Sequence, residues 1–327
     1  MKKLNSNSVS RKSFLKQSLF TALGLGLSGS SFANGVVNLV APNAETEDEN
    51  KLRSISYNVF NGCIGYKGIN SHALPEGDIS DLIKAARHLK QIPQRIMLEL
   101  ALYQPNIINF SEGPSEKVLA EMANMIGYNY AFFPGGLDGK GKFPGGVLTN
   151  YEIVSSENRP FVNKEKNNLK ELFTRHWGKA TLRTPNGKTI VVHSAHLWPF
   201  KKSEEDTQIR MEEIKHLHLA INEDLKQKNT SVLLQGDLNH VPNTPENKAL
   251  LSGKLVDTFV QAGVGEGNTA NSIKHNRRID YILAGGQIAQ HIKSCRSLYE
   301  GNFMMHTADK MGFALSDHLP VMADFEF

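Results

Sequence analysis

Gly236-Asp237-Leu238-Asn239 follows the apolar run Ser231-Val232-Leu233-Leu234-Gln235, and Ser316-Asp317-His318-Leu319-Pro320 precedes the closing apolar segment. Each cluster sets acid, amide or imidazole groups at the end of a short strand-like stretch. Strand ends are rigid, so such groups can be held in fixed geometry in a shared cleft. Carboxylates, an amide and an imidazole are what a hard divalent cation and a phosphate ester need nearby. Other apolar runs end in Asn58, Glu112 and His196. Asp280 stands between Ile279 and Tyr281, where an acid needs a partner. Taken one at a time, these residues have plainer readings. Asn58 can close a turn, Asp237 and Asn239 can form an Asx turn, and His196 can be a satisfied core histidine. Only their joint occurrence points to a site.

The elements that must carry these groups follow from periodicity. Leu52–Phe60 alternates like a strand. Ile79–Leu102 repeats apolar residues at helical spacing, with a pause expected at Pro93. Asn106–Phe110 reads as a short strand, Ser115–Ile126 as a helix with one apolar face, and Tyr128–Phe133 and Gly146–Asn150 as strands. Trp177–Arg183 and Thr189–His196 form a hairpin around Pro185-Asn186-Gly187, a strong turn signal. Glu204–Lys226 reads as a long amphipathic helix, and Thr244 with Pro245 starts another that runs to Leu250. Ser231–Gln235, Arg278–Leu283 and Pro320–Phe327 complete the strands. Strands mixed with helices and hairpins predict mixed sheets with helices outside.

The motifs occur in a recognisable order: Tyr57-Asn58-Val59, Gln104-Pro105-Asn106-Ile107-Ile108 running to Glu112, Ser194-Ala195-His196-Leu197, Gly236-Asp237-Leu238-Asn239, Arg278-Ile279-Asp280-Tyr281 and Ser316-Asp317-His318-Leu319-Pro320. From Leu52 to Phe327 the chain resembles the endonuclease/exonuclease/phosphatase superfamily. The resemblance implies an α/β fold: a four-layer α/β/β/α sandwich of two packed mixed sheets with outer helices. It also implies metal-dependent cleavage of a phosphoester, with Mg²⁺ expected and Mn²⁺ or Ca²⁺ as alternatives. Glu112, Asn58 and Asp317 match metal-site positions. Asp237 and Asn239 match the pair that orients water and holds the phosphate, His196 a phosphate-contacting histidine, and Asp280 the partner of His318. Whether His318 acts as imidazolium or as base stays open. Ser111 stands where many relatives carry Gln.

The first 33 residues have a different character. Lys2, Lys3, Arg11, Lys12 and Lys16 precede an apolar, small-residue stretch ending at Ser31-Phe32-Ala33. That is the pattern of a cleaved export signal, and Ser10–Lys16 resembles a twin-arginine motif with lysine in second place. The apolar stretch falls short of the roughly 20 residues a span needs. The reading is therefore a signal peptide over 1–33, an acidic leader over 34–50 and a phosphohydrolase domain over 51–327, exported to the periplasm or medium. The chain holds 37 basic and 33 acidic residues, and the five basic residues of the signal are matched by no acid, which leaves 32 against 33, a net −1. Near-neutral charge does not favour a nucleic-acid substrate, leaving smaller or lipid phosphoesters open. A monomer is the simplest expectation. Cys63 and Cys295 are distant in sequence, and export permits a disulfide without requiring one.

Overall fold

The computed structural model describes residues 50–67, 81–136, 142–160, 172–305 and 312–326. The expected signal peptide and the leader up to residue 49 lie outside the described residues.

Among the described residues twelve strands form two six-stranded sheets. The first has the order β11-β12-β1-β2-β4-β3, where β1 is Lys51–Asn58, β2 Ile107–Ser111, β3 Asn129–Phe133, β4 Gly145–Thr149, β11 Ile292–Ser297 and β12 Val321–Glu326. The second has the order β5-β6-β7-β8-β10-β9, with β5 Glu152–Asn158, β6 His176–Arg183, β7 Thr189–His196, β8 Thr230–Asp237, β9 Leu255–Asp257 and β10 Asp280–Gly286. Each sheet contains one parallel pair, β1 with β2 and β7 with β8. A parallel pair needs a crossover. Helices α1 (Asp81–His88) and α2 (Gln91–Ala101) make the first, and α4 (Glu204–Asp224) makes the second. Further helices are α3 (Glu116–Met125), α5 (Pro245–Leu251) and α6 (Thr258–Ala262).

Three buried apolar layers separate four layers of structure, the expected α/β/β/α sandwich. Ile55, Tyr57, Ile108 and Phe110 face Ile83, Ile96, Leu119 and Met122 of the helices. Leu52, Ile107 and Phe325 face Leu182, Ile190, Val192, Leu233 and Ile282 across the two sheets. Val191, Val232, Leu234 and Leu283 face Ile214, Leu217 and Ile221 of α4 and Leu250 of α5. Successive residues on each central strand thus enter different layers, as the two-residue period requires, and both faces are buried.

Three details differ from expectation. The interruption before α2 falls at Lys90, which adopts φ 55°, and Pro93 sits inside the first turn of α2, where its missing N–H is not needed. Helix α4 is not simply amphipathic: its capping box of Ser203 and Asp206 opens a helix that buries Asp206, Arg210, Glu213 and His216 alongside its apolar residues. Edge strands β5, β9 and β11 lack the uniform burial that makes the central strands readable. Cys63 and Cys295 are both free and buried, one beneath the helices and one between the sheets.

Candidate active site

Follow the inter-sheet layer along the strands and it turns polar at one end. On β1 the residues in phase with Leu52 are Ser54, Ser56 and Asn58; on β8, in phase with Leu233, they are Gln235 and Asp237; on β7, in phase with Val192, Ser194 and His196. Ser54 Oγ donates to Gln235 Oε1 at 2.8 Å, and Asn109 Nδ2 donates to Ser56 Oγ at 3.1 Å. The register pairs Asp280 with Asp237 and His176 with His196. The strand ends therefore bring Asn58, His196, Asp237 and Asp280 to one edge of the sandwich.

Asp237 lies at the centre. Its Oδ1 accepts the Asn239 N–H at 3.0 Å, so the Asx turn does form. Its Oδ2 accepts from Asn58 Nδ2 at 3.1 Å and lies 3.5 Å from His196 Nε2 and 3.8 Å from His318 Nε2. Asn239 is oriented by donation from Nδ2 to the Leu197 carbonyl at 3.1 Å. Gly236 is required here: it has φ 142°, and a Cβ would fall 1.8 Å from the Ala195 carbonyl oxygen. Burial, then Asp280, pushes the Asp237 carboxyl up to about 7, against His318 and the Asn58 hydrogen bond.

His318 and Asp280 form a buried pair, Nδ1 to Oδ2, at 2.8 Å. Thr269 Oγ1 accepts the Asp280 N–H at 3.2 Å. Ser316 ties the last loop to β1: its hydroxyl donates to the Asn58 carbonyl at 2.6 Å and accepts the His318 N–H at 3.1 Å. Burial works against charge on His318, but Asp280 and Asp317 outweigh it and raise the imidazole well above its ordinary value. His196 is driven the other way by burial, with His176, Arg175 and His318 adding to the effect, and stays neutral.

Glu112 occupies a turn with φ 50°, a conformation a non-glycine residue keeps only when its surroundings impose it. Here Gly62 N–H bonds the Glu112 carbonyl at 2.8 Å, and Gly113 N–H bonds the Pro144 carbonyl at 2.7 Å. Asn61 N–H then reaches Glu112 Oε2 at 2.9 Å. Burial raises the Glu112 carboxyl, Asn61 opposes this and Asp317 adds to it. Asp317 is likewise raised by burial. Among the described residues neither Glu112 nor Asp317 pairs with a lysine or arginine. Crowded, partly buried oxygen donors whose carboxyls burial raises, with His318 as a neighbouring positive group, fit a hard divalent cation. Asp237, Asp280 and His318 also offer donor atoms within 4.8 Å of one another. The Asp280–His318 hydrogen bond uses Oδ2 and Nδ1, so Asp280 Oδ1, which has no hydrogen-bond partner, and His318 Nε2 are the atoms this trio has left to offer.

The structure thus gathers Asn58, His196, Asp237, Asn239, Asp280 and His318 into one network, with Glu112 and Asp317 coupled to it electrostatically. Sequence reading missed His176, whose Nε2 lies 2.9 Å from Ser194 Oγ and whose ring centroid is 6.3 Å from that of His196. Counting back along the hairpin from the Asn186-Gly187 turn would have found it. Ser111, in the place of Gln, accepts the Asp237 N–H at 3.4 Å. His193 is buried and bonds Asp224 at 2.8 Å. Trp198 packs: its Nε1 donates to Asp206 at 2.7 Å and its ring meets Phe200 at 5.2 Å.

The model of the endonuclease/exonuclease/phosphatase family matches residues 55–318. The chain belongs to that family. Its members are metal-dependent phosphoester hydrolases, and this chain is an enzyme of that class. No curated protein matches it by sequence. Among solved structures, a mannosyl-6-phosphatase of Bacteroides thetaiotaomicron superposes with a TM-score of 0.63 at 18% identity, covering 84% of this chain and 100% of that one. TDP2 of D. rerio, complexed with a single-strand DNA product, superposes with a TM-score of 0.57 at 20% identity, covering 85% of this chain and 99% of that one. A family protein of Leptotrichia buccalis gives 0.55 at 18% identity, covering 84% and 100%. Among the described residues no helix is long and apolar enough to cross a membrane.

Proposed function

We propose that this family member is an exported, Mg²⁺-dependent phosphodiesterase that hydrolyses its substrate by in-line attack of water. The observation that carries the reading is the position of Asp237 Oδ2, within 4 Å of Asn58, His196 and His318 at once. Glu112, Asn58 and Asp317 would hold the ion. Bound there, Mg²⁺ would neutralise phosphate oxygens and make phosphorus more electrophilic. Asp237 orients the attacking water and takes its proton as the phosphorus–oxygen bond forms. Asn239, its amide fixed on the Leu197 carbonyl, steadies a phosphate oxygen. Neutral His196 donates to another. His318, held by Asp280, directs Nε2 toward the same space and stabilises negative charge as it develops on the phosphoryl group. The leaving oxygen departs on the face opposite the water. Export rests on the basic and apolar character of residues 1–33.

The test is a panel with Mg²⁺ or chelator: bis(p-nitrophenyl) phosphate, p-nitrophenyl phosphate, sphingomyelin, duplex DNA and RNA. Turnover of a diester, abolished by chelation and by Glu112→Gln with the fold retained, is the expected result. Turnover of monoesters alone would replace the diester reading by a phosphatase of the same fold. No turnover on any member would overturn catalysis. An N-terminus still beginning at Met1 on protein recovered outside the cytoplasm would refute cleavage.

A further inference from the structure

The turn that follows β1 winds with the unusual hand. Phe60, Asn61, Gly62 and Cys63 have φ of 53°, 46°, 80° and 67° in succession. Only glycine takes such angles without steric cost. The other three keep them because their surroundings impose them. Phe60 and Cys63 are buried, and the Phe60 ring meets that of Tyr66 edge-on at 5.4 Å. Val59 N–H bonds the Ser111 carbonyl at 2.9 Å on one side of the turn. On the other, Arg87 of α1 donates to the Ile64 and Gly65 carbonyls.

This hand decides where the backbone N–H groups point. Phe60 N–H meets Asn58 Oδ1 at 3.1 Å, Asn61 N–H meets Glu112 Oε2 at 2.9 Å, and Gly62 N–H meets the Glu112 carbonyl at 2.8 Å. Three successive N–H groups thus serve two of the residues assigned to the metal. The Asn58 side chain bonds the Glu112 carboxyl as well. Asn61 itself is exposed, so the group it brings to the site is its main-chain N–H. A carboxylate with one oxygen committed to such a donor cannot freely turn both oxygens on one ion. Mg²⁺ tolerates this, since it needs only one or two carboxylates, keeps several waters and holds a strict octahedron. Ca²⁺ takes more oxygens in looser geometry, often both from one carboxylate.

We infer that the left-handed turn Phe60–Cys63 is a positioning device for cation choice: Asn61 N–H commits one oxygen of Glu112 and so weights the metal site toward Mg²⁺ over Ca²⁺. The inference rests on the reading of Glu112 as a metal ligand. A turn that only packs the end of β1 would affect stability and leave ion affinities alone.

The decisive experiment titrates Mg²⁺ and Ca²⁺, each alone, by calorimetry into wild type, Asn61→Gly, Asn61→Ala, Asn61→Val and Glu112→Gln, with melting temperatures measured alongside. Glycine adopts the left-handed turn freely, alanine at a cost, and β-branched valine resists it most. All three lack the amide side chain, so differences within the series report the backbone. Asn61→Gly is the conservative variant and should stay closest to wild type. Asn61→Val should lose Mg²⁺ affinity by about 10–100-fold, as the loss of a group that orients a metal ligand does. Its Ca²⁺ affinity should fall less, with Asn61→Ala between the two. If Asn61→Val does not fold, Asn61→Ala carries the comparison, with a several-fold loss for Mg²⁺ expected and a smaller one for Ca²⁺. Mg²⁺ affinity equal to wild type in the folded variants, or equal losses for the two ions, overturns the inference. Loss of Mg²⁺ binding in Glu112→Gln beside unaffected Asn61 variants removes the turn and leaves the ligand standing. Mg²⁺ affinity unchanged by Glu112→Gln, or absent from wild type, removes Glu112 as a ligand and the inference with it.

Discussion

Glu213 is a fully buried acid on α4, and its two oxygens do different work. Oε1 accepts the Phe173 N–H at 2.7 Å and Oε2 the Trp198 N–H at 2.8 Å. One carboxyl thus pins both loops that enter the site, the one leading to Arg175 and the one leaving His196. Burial pushes this carboxyl from 4.5 up to about 7, against the two N–H groups, Arg210 and Arg159. The native state therefore binds a proton that the unfolded chain has already released. Stability contributed by this group is present below pH 4.5 and is lost as pH rises through about 7, by about 3 kcal/mol in all. Glu213→Gln removes the titration but keeps only one acceptor, so one buried N–H goes unsatisfied, at about 1–3 kcal/mol. The variant should be less stable than wild type at pH of about 5, and the gap should narrow by about 3 kcal/mol toward pH of about 8, where the two become comparable. Urea melts at both pH values measure this, with equal m-values required for the comparison. A gap that stays constant, or widens with pH, would show that the N–H groups and the arginines outweigh burial, and the reasoning would fail.

Three further outcomes are expected. Gly145→Ala places a Cβ 2.1 Å from His176 Nε2, so the ring must leave Ser194; a melting-point loss corresponding to about 1–3 kcal/mol and a lower kcat should follow, and wild-type values for both would show that the ring moves freely. Ser316→Ala removes the hydroxyl that joins β1 to the His318 loop, costing about 1–2 kcal/mol in chemical denaturation; no change would mean the loop is held elsewhere. Cys63 and Cys295 are buried free thiols whose ionisation burial opposes, so a thiol-reactive chromogen should label neither in the native protein and both after unfolding. Rapid labelling of the folded chain would contradict their placement.

Much of the candidate site was legible because its polar groups sit where strand patterns stop. The phase of Leu52, Ser54, Ser56 and Asn58 already says that Asn58 shares a face with Leu52, and the Asn186-Gly187 turn sets the register that opposes His176 to His196. The buried polar face of α4 was not legible, since Asp206, Arg210 and Glu213 look like a solvated stripe until the loops they hold are placed against them. Edge strand β5 is half exposed, so no burial pattern marked it.

By itself the chain determined which residues are available for chemistry, their order, and the alternation that sends each central strand into two layers, because side-chain direction along a strand follows a period of two. Tertiary structure alone decided that the ends of β1, β7, β8 and β10 meet at one edge. Asn58 and Asp237 are 179 residues apart and share a hydrogen bond of 3.1 Å. Such a contact depends on which sheets pack and in what order, and a local pattern of residues does not encode a separation of that length.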